Sequence, residues 1–163
     1  MPGLTISEKI LARASGKERV VPGDIVDGAV DLLYMHEMLA MALMPFNEIG
    51  TMKVWDPDKI VVTLDHWVPP PTPEIAAMHQ TIRDFCKKQG IKRFHDVGDH
   101  GIIHQLIAER GYAHPWQLVI GSDSHTNMVG AVGAFAAGIG ATDTAAVMAT
   151  GRLWLRVPET LRV

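Results

Sequence analysis

Residues 59–64, KIVVTL, are the feature that most limits what this chain can fold into. The run is β-branched and almost continuously apolar, which is typical of a strand covered on both faces. Shorter runs of this kind occur at residues 91–95 and 117–120, and helical patterns follow the strands at residues 74–89 and 100–110. This alternation predicts an α/β fold, a three-layer α/β/α arrangement with a mainly parallel sheet.

The N-terminal part of the chain predicts further elements. Thr5 and Glu8 form a capping box that begins a helix, and Gly16 ends it. Residues 20–26 predict a short strand interrupted by a turn, and residues 27–34 predict an extended segment.

Two longer segments predict helices by period and composition. The first is residues 36–46. Methionines recur in steps of three from the residue before this segment and predict a buried helix face: Met35, Met38, Met41 and Met44. The second, residues 127–155, is rich in alanine and glycine, and it predicts a helix with breaks at Gly138 and Gly140.

The composition predicts one globular domain over residues 1–163 and argues against several partners. The chain is 47% hydrophobic and 20% charged, and its scattered basic residues and net charge of −3 predict no nucleic-acid surface. The longest apolar stretch, residues 129–141, is too short to span a bilayer, and the N-terminus lacks the apolar centre of a signal peptide. Cys86 is the only cysteine, so no internal disulfide can form, and the expected location is the cytoplasm.

Acidic and imidazole side chains follow three of the predicted strands. They are Asp65-His66, then His95-Asp96 with Asp99-His100, and finally Asp123-Ser124-His125. In open α/β sheets, ligands bind beyond the carboxyl ends of the strands. The common placement of these groups therefore predicts one functional site.

Three chemistries for this site find little support in the residues. His100 and His104 have the spacing of metal ligands on a helix, and Asp123 and His125 could add to them, but Gly101 is a poor residue for such a helix. A mononuclear metal-dependent hydrolase therefore stays open as an alternative. The sequence lacks the G-x-S-x-G elbow that would present a serine nucleophile. The glycines within residues 127–155 do not form a full phosphate-binding motif, which favours a role in close helix packing.

The fourth chemistry is acid–base catalysis on a small polar substrate. An aspartate beside a histidine can orient the ring and hold its proton, which makes the imidazole a better general acid. Several imidazoles around one hydroxyl group could help it to leave as water, as in a dehydratase.

The motifs resemble those of the aconitase superfamily, in particular the large subunits of two-chain hydro-lyases such as 3-isopropylmalate dehydratase and homoaconitase. They occur in this order: SEKILA at 7–12, PGDIV at 22–26, DHxxP at 65–69, GIIHQ at 101–105, GSDSHT at 121–126, GAxGAF at 130–135 and VMATG at 147–151. The resemblance therefore covers nearly the whole chain.

This resemblance implies a site around a [4Fe–4S] cluster and its bound substrate. Asp65 would orient His66 as the acid that protonates the departing hydroxyl group. His104, Asp123 and His125 would hydrogen-bond the leaving hydroxyl or water at the open iron.

The resemblance also implies a substrate class. Ser124 would line the carboxylate side of the substrate, and Gln105 and Thr126 would also bind it. The substrate would be a 2-hydroxy di- or tricarboxylic acid, with 3-isopropylmalate as the first expectation and homocitrate or dimethylmalate as alternatives.

The sequence departs from the family pattern in two places. His36-Glu37 stands where the family often has His-Asp, so the role of this pair is left open. The cluster cysteines are absent, and Cys86 matches none of them and is expected to pack in the core. One thiolate cannot hold a four-iron cluster. The chain is therefore expected to be an incomplete N-terminal portion, a truncated product or one piece of a split enzyme, inactive by itself.

The expected partners follow from the same resemblance. They are the small subunit, which carries the swivelling domain, and a chain that supplies the cluster cysteines. The alternative from another class is a non-catalytic remnant, an interaction module that binds its partner subunit without turnover.

Overall fold

The computed structural model describes residues 3–161, which form five α-helices, seven strands and two 3₁₀ segments. The helices are α1 Ile6–Ser15, α2 Leu39–Ile49, α3 Pro73–Gln89, α4 Ile103–Glu109 and α5 Ala141–Thr150. The strands are β1 Ile25–Ala29, β2 Leu32–Met35, β3 Ile60–Thr63, β4 Arg93–His95, β5 Leu118–Gly121, β6 Phe135–Gly138 and β7 Arg152–Arg156. The 3₁₀ segments are Pro57–Lys59 and Ser124–Val132.

Five strands form one parallel sheet in the order β4-β3-β2-β5-β6. Every residue of β2, β3 and β5 is buried, as the continuous apolar runs predict. The chain builds the sheet outward from β2 to β4 and then returns to the other side with β5. The topological switch point, where ligands bind in open α/β sheets, therefore lies between β2 and β5.

Helices cover both faces of the sheet, which confirms the predicted α/β architecture. The larger core packs α1, α2, α3 and α5 against one face, where Leu33 and Ile120 point. The smaller core packs α4 and the 3₁₀ segment Ser124–Val132 against the other face, around Tyr34 and Val119. Alternate residues of each strand thus serve two different cores.

A separate two-stranded ribbon joins the beginning and the end of the described chain. β1 pairs antiparallel with β7, from Ile25 opposite Arg156 to Ala29 opposite Arg152. The Arg152 Nε atom lies 2.7 Å from Asp27 Oδ2, and its guanidinium also donates to the Asp27 carbonyl oxygen. This ribbon fixes α5 and the segment after it against the N-terminal part of the domain.

The capping box at Thr5 and the helix over residues 74–89 are confirmed, whereas two other predictions are wrong. Residues 127–155 do not form one interrupted helix, because β6 and β7 lie inside that range on either side of α5. In residues 20–26 the predicted turn is present, but a strand begins only at Ile25.

The buried methionine face is also wrong. Met41 and Met44 are 59% and 69% exposed, and the buried residues of α2 are Leu39, Ala42 and Phe46. A strict step of three drifts around a helix of 3.6 residues per turn, so the methionines leave the face that packs on α5.

Among the described residues, no helix combines the length and the apolar character needed to cross a bilayer.

Candidate functional site

The polar groups after β2, β3 and β5 meet at one edge of the sheet, together with the first turn of α4. The ring centroid of His104 lies 6.4 Å from that of His66 and 5.8 Å from that of His125. Asp65 and Asp123 contact these rings directly. The structure therefore brings together the five side chains that the sequence predicted as catalytic.

Asp65 holds both His66 and the start of α4. Its Oδ1 atom lies 2.7 Å from His66 Nδ1, and its Oδ2 atom accepts the Ile103 amide at 2.7 Å. The carboxylate thus acts as a cap for α4, which has no side-chain cap of its own at Ile102. With Nδ1 engaged, the Nε2 atom of His66 is the ring nitrogen left for a ligand, on a side chain that is 36% exposed.

His104 is held between a phenol and a carboxylate. Its Nδ1 atom lies 3.1 Å from Tyr34 Oη, and its Nε2 atom lies 3.0 Å from Asp123 Oδ1. Burial, assisted by the charge of Asp123, raises the pKa of Tyr34 to about 12, so the phenol keeps its proton and can donate it to Nδ1. A proton donated by Tyr34 to Nδ1 favours the tautomer of His104 that carries its own proton on Nε2, which lies close to Asp123 but outside hydrogen-bond geometry.

The two members of this pair have shifted pKa values. Burial lowers the pKa of His104, and the nearby His66 and His125 rings add to that effect, so neutral His104 is favoured. For Asp123, burial alone would raise the pKa, but hydrogen bonds from the His125 amide and ring, together with the nearby histidines, lower it. An ionised Asp123 therefore faces a neutral imidazole at neutral pH.

The residues after Asp123 differ in how accessible they are. His125 is 78% exposed, and both its amide, at 2.7 Å, and its Nδ1 atom, at 3.1 Å, contact Asp123 Oδ1. Ser124 is exposed beside it at the start of the 3₁₀ segment. Thr126 is fully buried, and its hydroxyl donates to the Asp123 carbonyl oxygen at 2.6 Å. The exposed Gln105 donates to Glu109 at 2.7 Å. Of the three residues predicted to bind substrate, Ser124 and Gln105 are thus exposed and Thr126 is not.

Two glycines let the chain pass closely around Asp123. A Cβ atom at Gly138, on β6, would overlap the carbonyl oxygen of Asp123. A Cβ atom at Gly121, the last residue of β5, would overlap the buried side chain of Thr126. The prediction that Gly138 allows close helix packing is therefore wrong. The absence of a side chain at this position instead leaves room for the loop that carries Asp123.

The site contains a residue to which the sequence assigned no role, His36. Its side chain is 7% exposed and follows β2, and its ring stacks on His66 with centroids 3.8 Å apart and an interplanar angle of 15°. Its ring nitrogens lie 3.4 Å from Glu37 Oε2 and 3.8 Å from Asp123 Oδ2. The position of His36 directly after a buried strand is the signal that could have identified it.

Glu37 is buried beneath the site and accepts hydrogen bonds from the loop that carries His66. Its Oε2 and Oε1 atoms accept the amides of His66 at 3.3 Å and Trp67 at 3.0 Å. Burial alone would raise the pKa of Glu37, but the adjacent His36 ring and hydrogen bonds from these two amides lower it to about 2. Glu37 is therefore a buried carboxylate that remains ionised at neutral pH.

His95 and His100 have hydrogen-bond partners in the loop that follows β4, and His95 has a second partner after α4. His95 contacts Asp99 at 3.1 Å and Tyr112 at 2.9 Å, while His100 accepts the Gly98 amide at 3.1 Å. The sequence predicted a substrate contact for neither residue.

Two groups of side chains have ligand atoms close enough together for one metal ion. Within each group these atoms lie within 4.8 Å of one another: His36, Glu37, Asp65 and His66 in the first, and His66, His104 and Asp123 in the second. Neither group contains His100, so the open alternative that paired His100 with His104 as metal ligands gains no support among residues 3–161. In both groups the carboxylates contact the histidines directly.

The fold and the site together define an α/β protein with an acid–base cluster at the carboxyl end of its sheet. The chain belongs to the aconitase family, described as aconitate hydratase, whose family model matches residues 8–163.

Its relatives include large subunits of one enzyme from several archaea. The chain is 52% identical over 160 residues to the probable 3-isopropylmalate dehydratase large subunit of Methanothermobacter thermautotrophicus, a match that covers 98% of this chain and 38% of that protein. It is 48% identical over 162 residues to 3-isopropylmalate dehydratase large subunit 1 of Methanopyrus kandleri, covering 99% of this chain and 38% of that protein. This chain thus spans a little over a third of the length of these relatives.

The iron–sulfur cluster that the family implies does not fit the side chains of this chain. Cys86, the only cysteine, is 1% exposed on α3, and burial raises the pKa of its thiol to about 12. A four-iron cluster needs several thiolates, whereas the site offers imidazoles and carboxylates. The residues present can therefore surround a substrate but cannot hold the cluster.

Proposed function

We propose that this chain supplies the acid–base side chains of a hydro-lyase that dehydrates a 2-hydroxy di- or tricarboxylic acid, with 3-isopropylmalate as the first candidate. The observation that carries the proposal is the convergence of Asp65-His66 with His104 and Asp123-His125 at the switch point of the sheet. The names of the relatives support the choice of substrate. Family membership also favours this reaction over a metal-dependent hydrolase.

His66 is the proposed general acid. Its Nδ1 atom is held by Asp65, which leaves Nε2–H to donate a proton to the substrate hydroxyl while the carbon–oxygen bond breaks and water departs. The proton on the adjacent carbon must go to a separate base, and no residue of this chain is proposed for that step.

The same hydroxyl group would be hydrogen-bonded on its other side by His104, Asp123 and His125. Asp123 can accept a hydrogen bond from the hydroxyl or the departing water, and the exposed ring of His125 can approach it from solvent. Ser124, at the start of the adjacent 3₁₀ segment, would contact a substrate carboxylate. Holding the reacting group among several positioned side chains lowers the entropic part of the barrier.

The complete enzyme would need two further components. In this proposal a [4Fe–4S] cluster, held by cysteines on polypeptide other than residues 1–163, would supply an electrophile for the leaving oxygen. A small subunit completes the substrate site. We also propose a cytoplasmic location, which a single buried cysteine without a disulfide supports.

The experiment that tests the proposal is His66→Ala in a complete enzyme that contains this chain, its small subunit and the cluster. We expect kcat to fall by about 10²–10⁴-fold, because general acid catalysis typically contributes that much. KM should change little, since proton donation stabilises the transition state more than the bound substrate.

The matched control is His100→Ala, which removes an imidazole from the loop near the site without touching the cluster of five residues. Its kcat should stay within about twofold of the unmodified enzyme. Unchanged turnover in His66→Ala would contradict the proposal. A complete enzyme with no activity on any 2-hydroxy acid would favour the alternative, a non-catalytic module that only binds its partner.

A further inference from the structure

The buried carboxylate of Glu37 has an unusual set of neighbours. Its side chain is fully buried, yet no lysine or arginine among residues 3–161 forms an ion pair with it. Its charge is instead met by the amides of His66 and Trp67 and by the rings of His36 and His79. A buried charge is tolerated only when such partners satisfy it, so each of these contacts is needed to keep Glu37 in place.

His79 lies on the opposite side of Glu37 from the site. It projects from α3, its side chain is 1% exposed, and its Nε2 atom lies 3.5 Å from Glu37 Oε1. Within the described residues, neither of its ring nitrogens has a hydrogen-bond partner of good geometry. An imidazole on an otherwise apolar helix face therefore has the carboxylate of Glu37 as its evident partner.

Glu37 transmits this contact to the proposed acid. It binds the main chain at His66, whereas Asp65 holds the ring of His66 in its plane and His36 stacks against its face. The ring contacts fix the direction of the imidazole, whereas Glu37 holds the backbone from which the ring extends. A displacement of that backbone by about 1 Å would move Nε2 out of hydrogen-bond reach of a substrate hydroxyl.

We propose that Glu37 and His79 are positioning residues for His66: His79 holds Glu37, and Glu37 holds the main chain of the proposed acid at residues 66 and 67. This inference rests on the proposed function for its catalytic consequence, although the positioning itself can be measured without any reaction. Neither residue is proposed to touch the substrate.

The first measurement is amide hydrogen exchange in the 163-residue chain. In His79→Phe and in Glu37→Gln, the amides of His66 and Trp67 should exchange at least about tenfold faster than in the unmodified chain, because their acceptor is lost or displaced. His79→Gln should restore most of the protection, since a glutamine amide in place of the imidazole can donate to the Glu37 carboxylate.

The matched control is Ile82→Val. Ile82 is fully buried on the same face of α3 and has no polar atom with which to hold Glu37, so this change removes packing without removing a polar partner of the carboxylate. It should lower global stability by about 1 kcal/mol without selective exposure of the two amides. Equal protection of both amides in His79→Phe, His79→Gln and the unmodified chain would overturn the proposal. If His79→Phe does not fold, the comparison of Glu37→Gln with Ile82→Val decides it by the same criterion.

The second measurement separates positioning from stability in the complete enzyme. His79→Phe should lower kcat by about 10–100-fold with KM within about threefold, and His79→Gln should recover most of kcat. A loss of kcat in Ile82→Val equal to that in His79→Phe would overturn the positioning role. An unmodified enzyme that dehydrates no hydroxy acid would contradict the proposed function, while the amide measurement would still decide whether Glu37 and His79 position His66.

Discussion

The imidazoles of the site lie close together, yet each has a different environment. His66 is paired with Asp65 and partly exposed, His104 is held by Tyr34 and Asp123, and His125 is mostly exposed. Side chains of one type acquire different roles when their surroundings differ in burial and charge. The partly exposed His66, paired with a carboxylate of its own, is the residue for which we propose the role of proton donor.

Cys86 is expected to be unreactive in the folded chain. Its thiol is 1% exposed and burial raises its pKa to about 12, so almost no thiolate exists at pH 8. A disulfide reagent such as DTNB should react at least about 100-fold more slowly with the native chain than with the urea-unfolded chain. Rapid stoichiometric labelling under native conditions would contradict the packing described for α3.

At the scale of elements, the site depends on how closely β6 approaches the loop after β5. Gly138 lies opposite Gly121 in the parallel pairing of these strands, and the 3₁₀ segment packs along β6. Residues with no side chain thus allow a loop with several functional side chains to fold onto the sheet edge.

Gly138→Ala should disturb both stability and the site. The new methyl group would overlap the Asp123 carbonyl oxygen, and we expect the free energy of unfolding to fall by about 1–3 kcal/mol, as in other overpacked positions. Urea denaturation measures the loss, and the NMR signals of the His104 and His125 rings report the displacement of Asp123. Gly130→Ala is the control, because a Cβ atom there would meet no neighbour within 4 Å. Equal stability of the two variants would contradict the close approach.

The elements that the sequence predicted well are those whose pattern reflects local burial. Residues 59–64 could be predicted as a buried strand, because a β-branched apolar run has no polar face that could contact solvent. By contrast, β6 consists of Phe-Ala-Ala-Gly, whose small residues are needed for contact with the 3₁₀ segment and resemble a helix in composition. Its strand character comes from pairing with β5, which no local pattern contains.

The site was predictable to the extent that it follows strand ends. Asp65-His66 and Asp123-Ser124-His125 come directly after β3 and β5, so the sheet alone brings them together. His79 could not be found in this way, because a lone histidine in a helix usually packs or faces solvent, and its partner Glu37 is 42 residues earlier in the chain. Only the packing of α3 over the loop after β2 reveals the pair.

At the scale of the whole molecule, the 163 residues contain an acid–base site but no means to hold an iron–sulfur cluster. Anaerobic reconstitution of the isolated chain with iron and sulfide should give no stable broad absorption near 400 nm and no dehydratase activity, because the chain has one cysteine and it is buried. A stable brown protein that acts on a 2-hydroxy acid would contradict this expectation.

Acid should destabilise the folded chain partly through Glu37. Its pKa is lowered from 4.5 to about 2, so its ionised form favours folding above pH 4.5, and that contribution is lost as pH falls towards 2. At 1.36 kcal/mol per pKa unit the contribution is on the order of 3 kcal/mol. Glu37→Gln should be less stable at pH 7 and should lose less stability between pH 4.5 and 2, as measured by urea denaturation. Parallel pH curves for the two proteins would contradict the shift.

The ribbon of β1 and β7 has a consequence for biosynthesis. Asp27 and Arg152, which pair across it, are 125 residues apart, so at about 5–20 residues per second the ribosome finishes β1 roughly 6–25 s before its partner. During that interval a nascent β1 offers an unpaired edge to any other extended polypeptide. The ribbon can form only after β7 has left the exit tunnel, so the edge of β1 stays unpaired until nearly all of residues 3–161 have been made.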